Sequence, residues 1–212
     1  MEENDLVSIS RVSPVTLPAT PVRTEERDGW AVVLAYEAER PGPHLIDLSH
    51  RSKWDVQDSD LSSIMPWDIQ IPEKPGTCAY DKGILINRMN RTQASVWHLS
   101  GNLEHSPEGH AFTEMTDAVT CLAIVGKGLF SIAEKLCALD LSDPKLTPPY
   151  LIQGPFAHVP CRLVVMNRTE DGGTLILTCS RGYASDMVHA ILKAGESVGI
   201  RPAGENALYQ WI

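Results

Sequence analysis

Residues 162–179 read RLVVMNRTEDGGTLILTC, two apolar runs that flank the polar stretch Asn167-Arg168-Thr169-Glu170-Asp171-Gly172-Gly173. Chains reverse where Asn, Asp and Gly cluster, because these residues tolerate positive φ and bond their own backbone. The pattern therefore predicts strands from Arg162 to Asn167 and from Thr174 to Cys179, joined as a hairpin. Toward the N-terminus, Val119 to Val125 reads as a further strand. Gly126-Lys127-Gly128 leads from it into a helix with Leu129, Ile132, Ala133 and Leu136 on one face, ended by Asp143-Pro144 and a Pro-rich connection at Pro148-Pro149. Toward the C-terminus, Ala184 to Val198 places Met187, Val188, Ile191, Leu192 and Gly195 on one helical face and stops at Gly199. Strand, helix, hairpin, helix is the order of an α+β split unit.

The first half yields to the same reading. Pro14, Pro18 and Pro21 stand among Ser, Thr and Val with no helical period, which predicts an extended surface arm over residues 1–27 that serves docking. Asp28 reads as the N-cap of an amphipathic helix carrying Trp30, Val33, Leu34 and Glu37, stopped by Pro41-Gly42-Pro43. His44 to Leu48 and Lys53 to Val56 are short strands, and Asp58-Ser59-Asp60 caps a short helix through Ile64. Gly83 to Met89 and Gln93 to Leu99 are strands joined at Asn90-Arg91-Thr92, and Gly101 to His110 is a polar loop. A strand-Asn-Arg-Thr-strand arrangement thus occurs in each half. It fits a duplicated βαβ-type unit and equally the ordinary preference of Asn and Thr for turns. The expected organisation is the arm followed by one domain over residues 28–212, with approximate halves 28–112 and 113–212.

The chain has 212 residues, 43% hydrophobic and 21% charged, which excludes disordered and coiled-coil classes and allows a core that needs no staples. Its 18 basic and 27 acidic side chains leave a net charge of -9, which disfavours a nucleic-acid or anionic-membrane surface. No apolar run reaches the roughly 18–20 residues of a membrane span. The acidic start Met1-Glu2-Glu3-Asn4-Asp5 lacks the positive charge of a secretion signal, so the expected compartment is the cytoplasm. Cys78, Cys121, Cys137, Cys161 and Cys179 are expected to be reduced there. Their spacing carries no metal signature, and most lie in apolar runs as small buried hydrophobes.

Few residues suggest chemistry. An imidazole such as that of His50 can act as a general base, and Asp47 lies three residues before it, but on a strand residues three apart face opposite sides, so the two do not cooperate unless the chain turns at Ser49 and a structural hydrogen bond is the plainer role. His98, His105 and His110 share a region without zinc-like spacing. Gly126-Lys127-Gly128 precedes a helix, where an anion is favoured, although a tight turn explains the glycines as well. Glu170-Asp171 reads as a hairpin turn before Gly172-Gly173, and Cys78 has no neighbouring His to activate it. Five tryptophans, Trp30, Trp54, Trp67, Trp97 and Trp211, suit either core packing or an interface.

Asp47-Leu48-Ser49-His50, Ala118 through Gly128, and above all Ala194-Gly195-Glu196-Ser197-Val198-Gly199-Ile200-Arg201-Pro202-Ala203-Gly204 resemble the folate-binding domain of the glycine-cleavage T protein family. The resemblance covers about Gly29 to Ala207 and implies that family's paired βαβ-type split units. The departures fall on the chemistry. The family's acidic Gly-Gly-Ile-x-Asp-Asp motif is Lys82-Gly83-Ile84-Leu85-Ile86-Asn87 here; Ile86 cannot transfer a proton and Asn87 only hydrogen-bonds. Leu175 stands where the family has a pterin-gripping glutamate, and the chain stops at Ile212, without the family's C-terminal barrel.

Lys135-Leu136-Cys137-Ala138-Leu139-Asp140-Leu141 and Gln93 through Gly101 are also similar to the gamma subunit of heterotetrameric sarcosine oxidase, a short relative of the same fold. That resemblance implies a non-catalytic accessory subunit of a one-carbon or N-methyl oxidoreductase, with no cofactor of its own, packed against larger subunits that carry flavin and folate. The competing expectation is a minimal tetrahydrofolate-dependent methyl or aminomethyl transferase, alone or as a homodimer. Its acid would come from Asp47, Asp81 or Glu170. The cofactor-binding candidates are Asn87 and Arg201, with Arg201 toward the glutamyl tail; no catalytic residue and no metal site is assigned.

Overall fold

The computed structural model describes residues 10–37, 39–103 and 105–212. In chain order the strands are β1 (Pro21–Arg27), β2 (Trp30–Tyr36), β3 (His44–Asp47), β4 (Lys53–Gln57), β5 (Cys78–Asp81), β6 (Ile84–Arg88), β7 (Gln93–His98), β8 (Phe112–Glu114) and β9 (Val119–Val125). Helix α1 (Leu129–Ala133) follows, then β10 (Tyr150–Phe156), β11 (Val159–Thr169), β12 (Gly172–Ser180), helix α2 (Ala184–Gly195) and β13 (Arg201–Ala203). The strands form a ribbon of β1 and β2, a six-stranded sheet in the order β10-β11-β12-β9-β3-β13, and a five-stranded sheet in the order β5-β6-β7-β4-β8. All pairings are antiparallel except β13 with β3.

Alternation along the strands builds the layers. On β9, Leu122 and Ile124 join Leu163, Val165, Leu175 and Leu177 under the two helices, which contribute Leu129, Ile132, Met187 and Ile191. The opposite face, with Cys121, Ala123, Val164 and Ile176, packs on Leu85, Met89 and Trp97 of the five-stranded sheet. The outer face of that second sheet, with Val56, Ile84, Ile86 and Val96, is covered by short turns and loops through Leu61, Ile69 and Ile71. The result is a sheet-dominated α+β fold with its helices on one side.

The hairpin expected at residues 162–179 is present, with Arg162 opposite Thr178 and Leu163 opposite Leu177. Asn167, Arg168 and Thr169 belong to the ladder, opposite Thr174, Gly173 and Gly172, so the turn itself is only Glu170-Asp171. Gly172 has φ +137, and a Cβ there would lie 2.4 Å from the Gly126 carbonyl carbon, which fixes this turn against the one before α1.

The helix expected from Asp28 is instead strand β2. Asp28 and Gly29 have φ 50 and φ 80, the positive pair of a two-residue hairpin turn, and Trp30, Val32, Leu34 and Tyr36 alternate inward. Trp30 and Leu34 satisfy a period of two as well as a helical one; the Asp-Gly dipeptide decides. Within the expected arm, Val15 and Leu17 are buried in the helix-side core, and residues 21–27 form exposed β1. Helix α1 is only 5 residues long, and the segment expected to be a Pro-rich connection becomes β10 from Tyr150 onward. No described residue of the first half forms an α-helix; its two helical turns, at Leu61–Ser63 and Pro66–Asp68, are 3-10.

Candidate functional site

Register across the five-stranded sheet aligns Cys78, Asn87, Ser95 and Asp55 in one row. The row lies on the face turned to the six-stranded sheet, since Leu85 and Met89, two residues to either side of Asn87, pack there. Asn87 and Ser95 are buried, and Asn87 Nδ2 donates to Ser95 Oγ at 3.3 Å. Asp55 accepts from Gln93 Nε2 at 2.7 Å and from Gln57 Nε2. Asn87 Oδ1 is buried without a partner. Ile86 faces the other way, into the outer core, and Leu175 lies in the helix-side core, a whole layer away from Asn87. The end of the intersheet layer is occupied by Ala207, Leu208, Trp211 and Ile212. The Trp211 carbonyl accepts from Thr174 Oγ1 at 3.1 Å and from Asn167 Nδ2.

Arg201 stands on β13, at the edge of the six-stranded sheet, with an exposed side chain; its backbone N–H donates to the Pro43 carbonyl at 3.1 Å. The structure therefore places Asn87 and Arg201 on different sheets. Asp81 ends β5 exposed, and Glu170 is exposed in its turn. Asp47 accepts from Ser13 Oγ at 2.5 Å and from the Ser49 N–H at 2.8 Å, which commits it to holding the chain after β3.

The most connected charged group is one that sequence reasoning did not single out. Glu205 is fully buried, and it accepts from Arg51 Nε at 2.5 Å, Arg27 Nη1 at 2.6 Å and His50 Nε2 at 2.8 Å. Arg51 also donates to Tyr209 Oη and, at 3.3 Å, to the Gly101 carbonyl. Burial alone would raise the Glu205 carboxyl, but the His50 hydrogen bond and the Arg51 charge outweigh it and hold it down at about 2. His98 lies close by. Its burial, with the Arg51 charge, pushes its imidazole down to about 4, and its Nε2 has no partner. His50, in the turn that follows β3, is thus paired with a residue other than Asp47. The adjacent basic residues His50 and Arg51 announce the need for a carboxylate, but nothing in the sequence locates it 154 residues away.

The remaining candidates are dispersed. Among the described residues no group of three or more His, Cys, Asp and Glu side chains is arranged to hold a metal. His110 is exposed and reaches Asp58 at 3.5 Å, while His105 lies beside Trp67, itself edge-on to Trp54 at 5.3 Å between ring centres. Asp58, Trp67, His105 and His110 border an open cavity of about 1030 Å³ over the outer face of the five-stranded sheet. Trp30, Trp54 and Trp97 are buried core residues, and Trp67 and Trp211 are half-buried.

No protein family model matches the chain. It is 28% identical to an aminomethyltransferase of Bacillus velezensis over 222 residues, covering 87% of this chain and 58% of the relative, so it spans little more than half of that protein. A chain of the heterotetrameric sarcosine oxidase from Corynebacterium sp. U-96, solved in complex with pyrrole 2-carboxylate, superposes with a TM-score of 0.61 at 13% identity, covering 76% of this chain and 87% of that one. The glycine cleavage system aminomethyltransferase T of Bartonella henselae superposes with a TM-score of 0.57 at 15% identity, covering 87% of this chain and 56% of that one. Among the described residues no helix is long and apolar enough to cross a membrane. The layered sheets and these superpositions together establish that the chain has the T-protein-like fold common to aminomethyltransferases and sarcosine oxidase.

Proposed function

We propose that this chain is a non-catalytic accessory subunit of an oxidoreductase complex acting on N-methyl or related one-carbon compounds. The observation that carries the reading is the inert strand β6. Where the resembling family has an acidic pair, Ile86 packs into the outer core and Asn87 is buried with its amide bonded to Ser95. Neither can exchange a proton with a substrate.

The residues present do not fit transfer to a bound tetrahydrofolate. Leu175 and Asn87 lie in separate layers, and the end of the intersheet layer is taken up by Leu208, Trp211 and Ile212. The partners of such a subunit are larger chains, and any flavin belongs to them.

Native purification of the tagged chain from its own cells tests this. The expected result is a stoichiometric complex with a larger chain and the absorbance of bound flavin. A chain that elutes alone or as a homodimer, with no larger partner, overturns the reading.

A further inference from the structure

Three of the five cysteines meet in the helix-side core, although the sequence spaces them widely. Cys161 on β11 and Cys179 on β12 are buried there, and Cys137 packs against the same cluster from the segment after α1. The β11–β12 register pairs Arg162 with Thr178 and Leu163 with Leu177; one step further sets Cys161 directly opposite Cys179. Both project to the helix side, as Leu163 and Leu177 do, and their thiols are close enough to perturb each other's ionisation.

The spacing suits a covalent bond. Opposed residues of an antiparallel ladder have Cα atoms about 4.5–5.5 Å apart, inside the roughly 4.4–6.8 Å span of a disulfide. Their Cβ atoms, about 4.5–5.5 Å apart, need only a slight approach to reach the roughly 3.5–4.5 Å of a disulfide. The contact also sets the thiols apart: each sulfur feels the other, with Cys161 raised and Cys179 lowered from an ordinary thiol, which makes Cys179 the readier nucleophile. Cys78 and Cys121 differ, each pushed by burial up to about 12. Cys121 faces the opposite side of the sheet. Beside Cys161, Gly154 of β10 has no side chain, and the Leu139 tip lies 3.0 Å from where its Cβ would be, so cover there comes from the irregular chain after α1. Segments of this kind open locally at small cost.

We propose that Cys161 and Cys179 are a redox modification site that closes into a reversible cross-strand disulfide with a small hydroperoxide as oxidant. The Cys179 thiolate attacks a peroxide oxygen and the O–O bond breaks, leaving a sulfenic acid on Cys179; with hydrogen peroxide the hydroxide released takes the Cys161 proton as water. The Cys161 sulfur then displaces the sulfenyl oxygen, which takes up the proton that Cys179 gave up on ionising and leaves as a second water, and the S–S bond forms. Two thiols lose two electrons and one peroxide is reduced to two waters.

The test treats the folded full-length chain with hydrogen peroxide, quenches, denatures, and alkylates the remaining thiols before intact-mass and non-reducing peptide analysis. The expected product has lost two hydrogens, keeps three alkylatable thiols of the five, contains linked Cys161 and Cys179 peptides, and reverts with dithiothreitol. Cys137→Ser and Cys121→Ser chains should form the same link, and Cys161→Ser or Cys179→Ser chains should not. Five alkylatable thiols after peroxide, or a link through Cys78, Cys121 or Cys137, would overturn the proposal.

Discussion

A carboxylate removed from water keeps its charge only where donors replace that water, and Glu205 has found them in Arg27, His50 and Arg51. Removing the charge while keeping the shape leaves Arg51 and His50 buried without a counter-ion, so Glu205→Gln should cost roughly 3 kcal/mol in urea unfolding at neutral pH. The pH profile follows from two groups. Glu205 titrates at about 2 in the fold and near 4.5 when unfolded, so its contribution is complete above 4.5 and is lost as pH falls toward 2; it amounts to about 3 kcal/mol. His98 is held at about 4 against an ordinary 6.5, so the unfolded chain takes up its proton first and stability also falls from pH 6.5 toward 4. The urea midpoint should thus decline continuously from about pH 6.5 to 2, and Glu205→Gln should flatten only the lower part. A wild-type profile level below pH 4.5 would contradict this. At this scale the sequence shows that Asp47 and His50 are neighbours, but His50 lies in the turn after β3, and it is the fold that pairs it with Glu205. The Glu205 cluster was hidden because its members come from the β1–β2 hairpin, the chain after β3 and the C-terminal turn, joined only by the fold.

Elements show the same division. The hairpin of residues 162–179 is legible because its turn residues and apolar runs agree, whereas the apolar positions of β2 fit two periods and Asp28 before them suits a helix cap as well as a hairpin turn. Strand β13 has three residues and no pattern of its own; it exists because β3 offers a parallel edge. The glycine that follows it explains why the Ala203-Gly204 segment can close against the ribbon. A Cβ on Gly204 would lie 2.2 Å from the Leu34 carbonyl carbon and 2.3 Å from its oxygen. Its φ of -76 suits any residue, so the constraint is space alone. Gly204→Ala should therefore part the C-terminal turn from β2 and lower stability by about 1–3 kcal/mol in calorimetry, and an unchanged melting temperature would refute that close approach.

For the whole molecule, composition is enough to expect a globular chain and the order of elements an α+β one, and the resemblance to T proteins is matched by the superposed folds. What composition does not carry is how the layers divide the residues. Only the structure reveals that Leu175 faces the helices while Asn87 faces the other sheet, because register and pleat, not sequence spacing, assign each side chain to a layer. That separation adds to the inert strand β6 behind the proposed accessory role. The purified chain, incubated alone with tetrahydrofolate and a methylated amine, should release no folate-bound one-carbon product above a protein-free control. Multiple turnovers of such a product by the isolated chain would contradict the account.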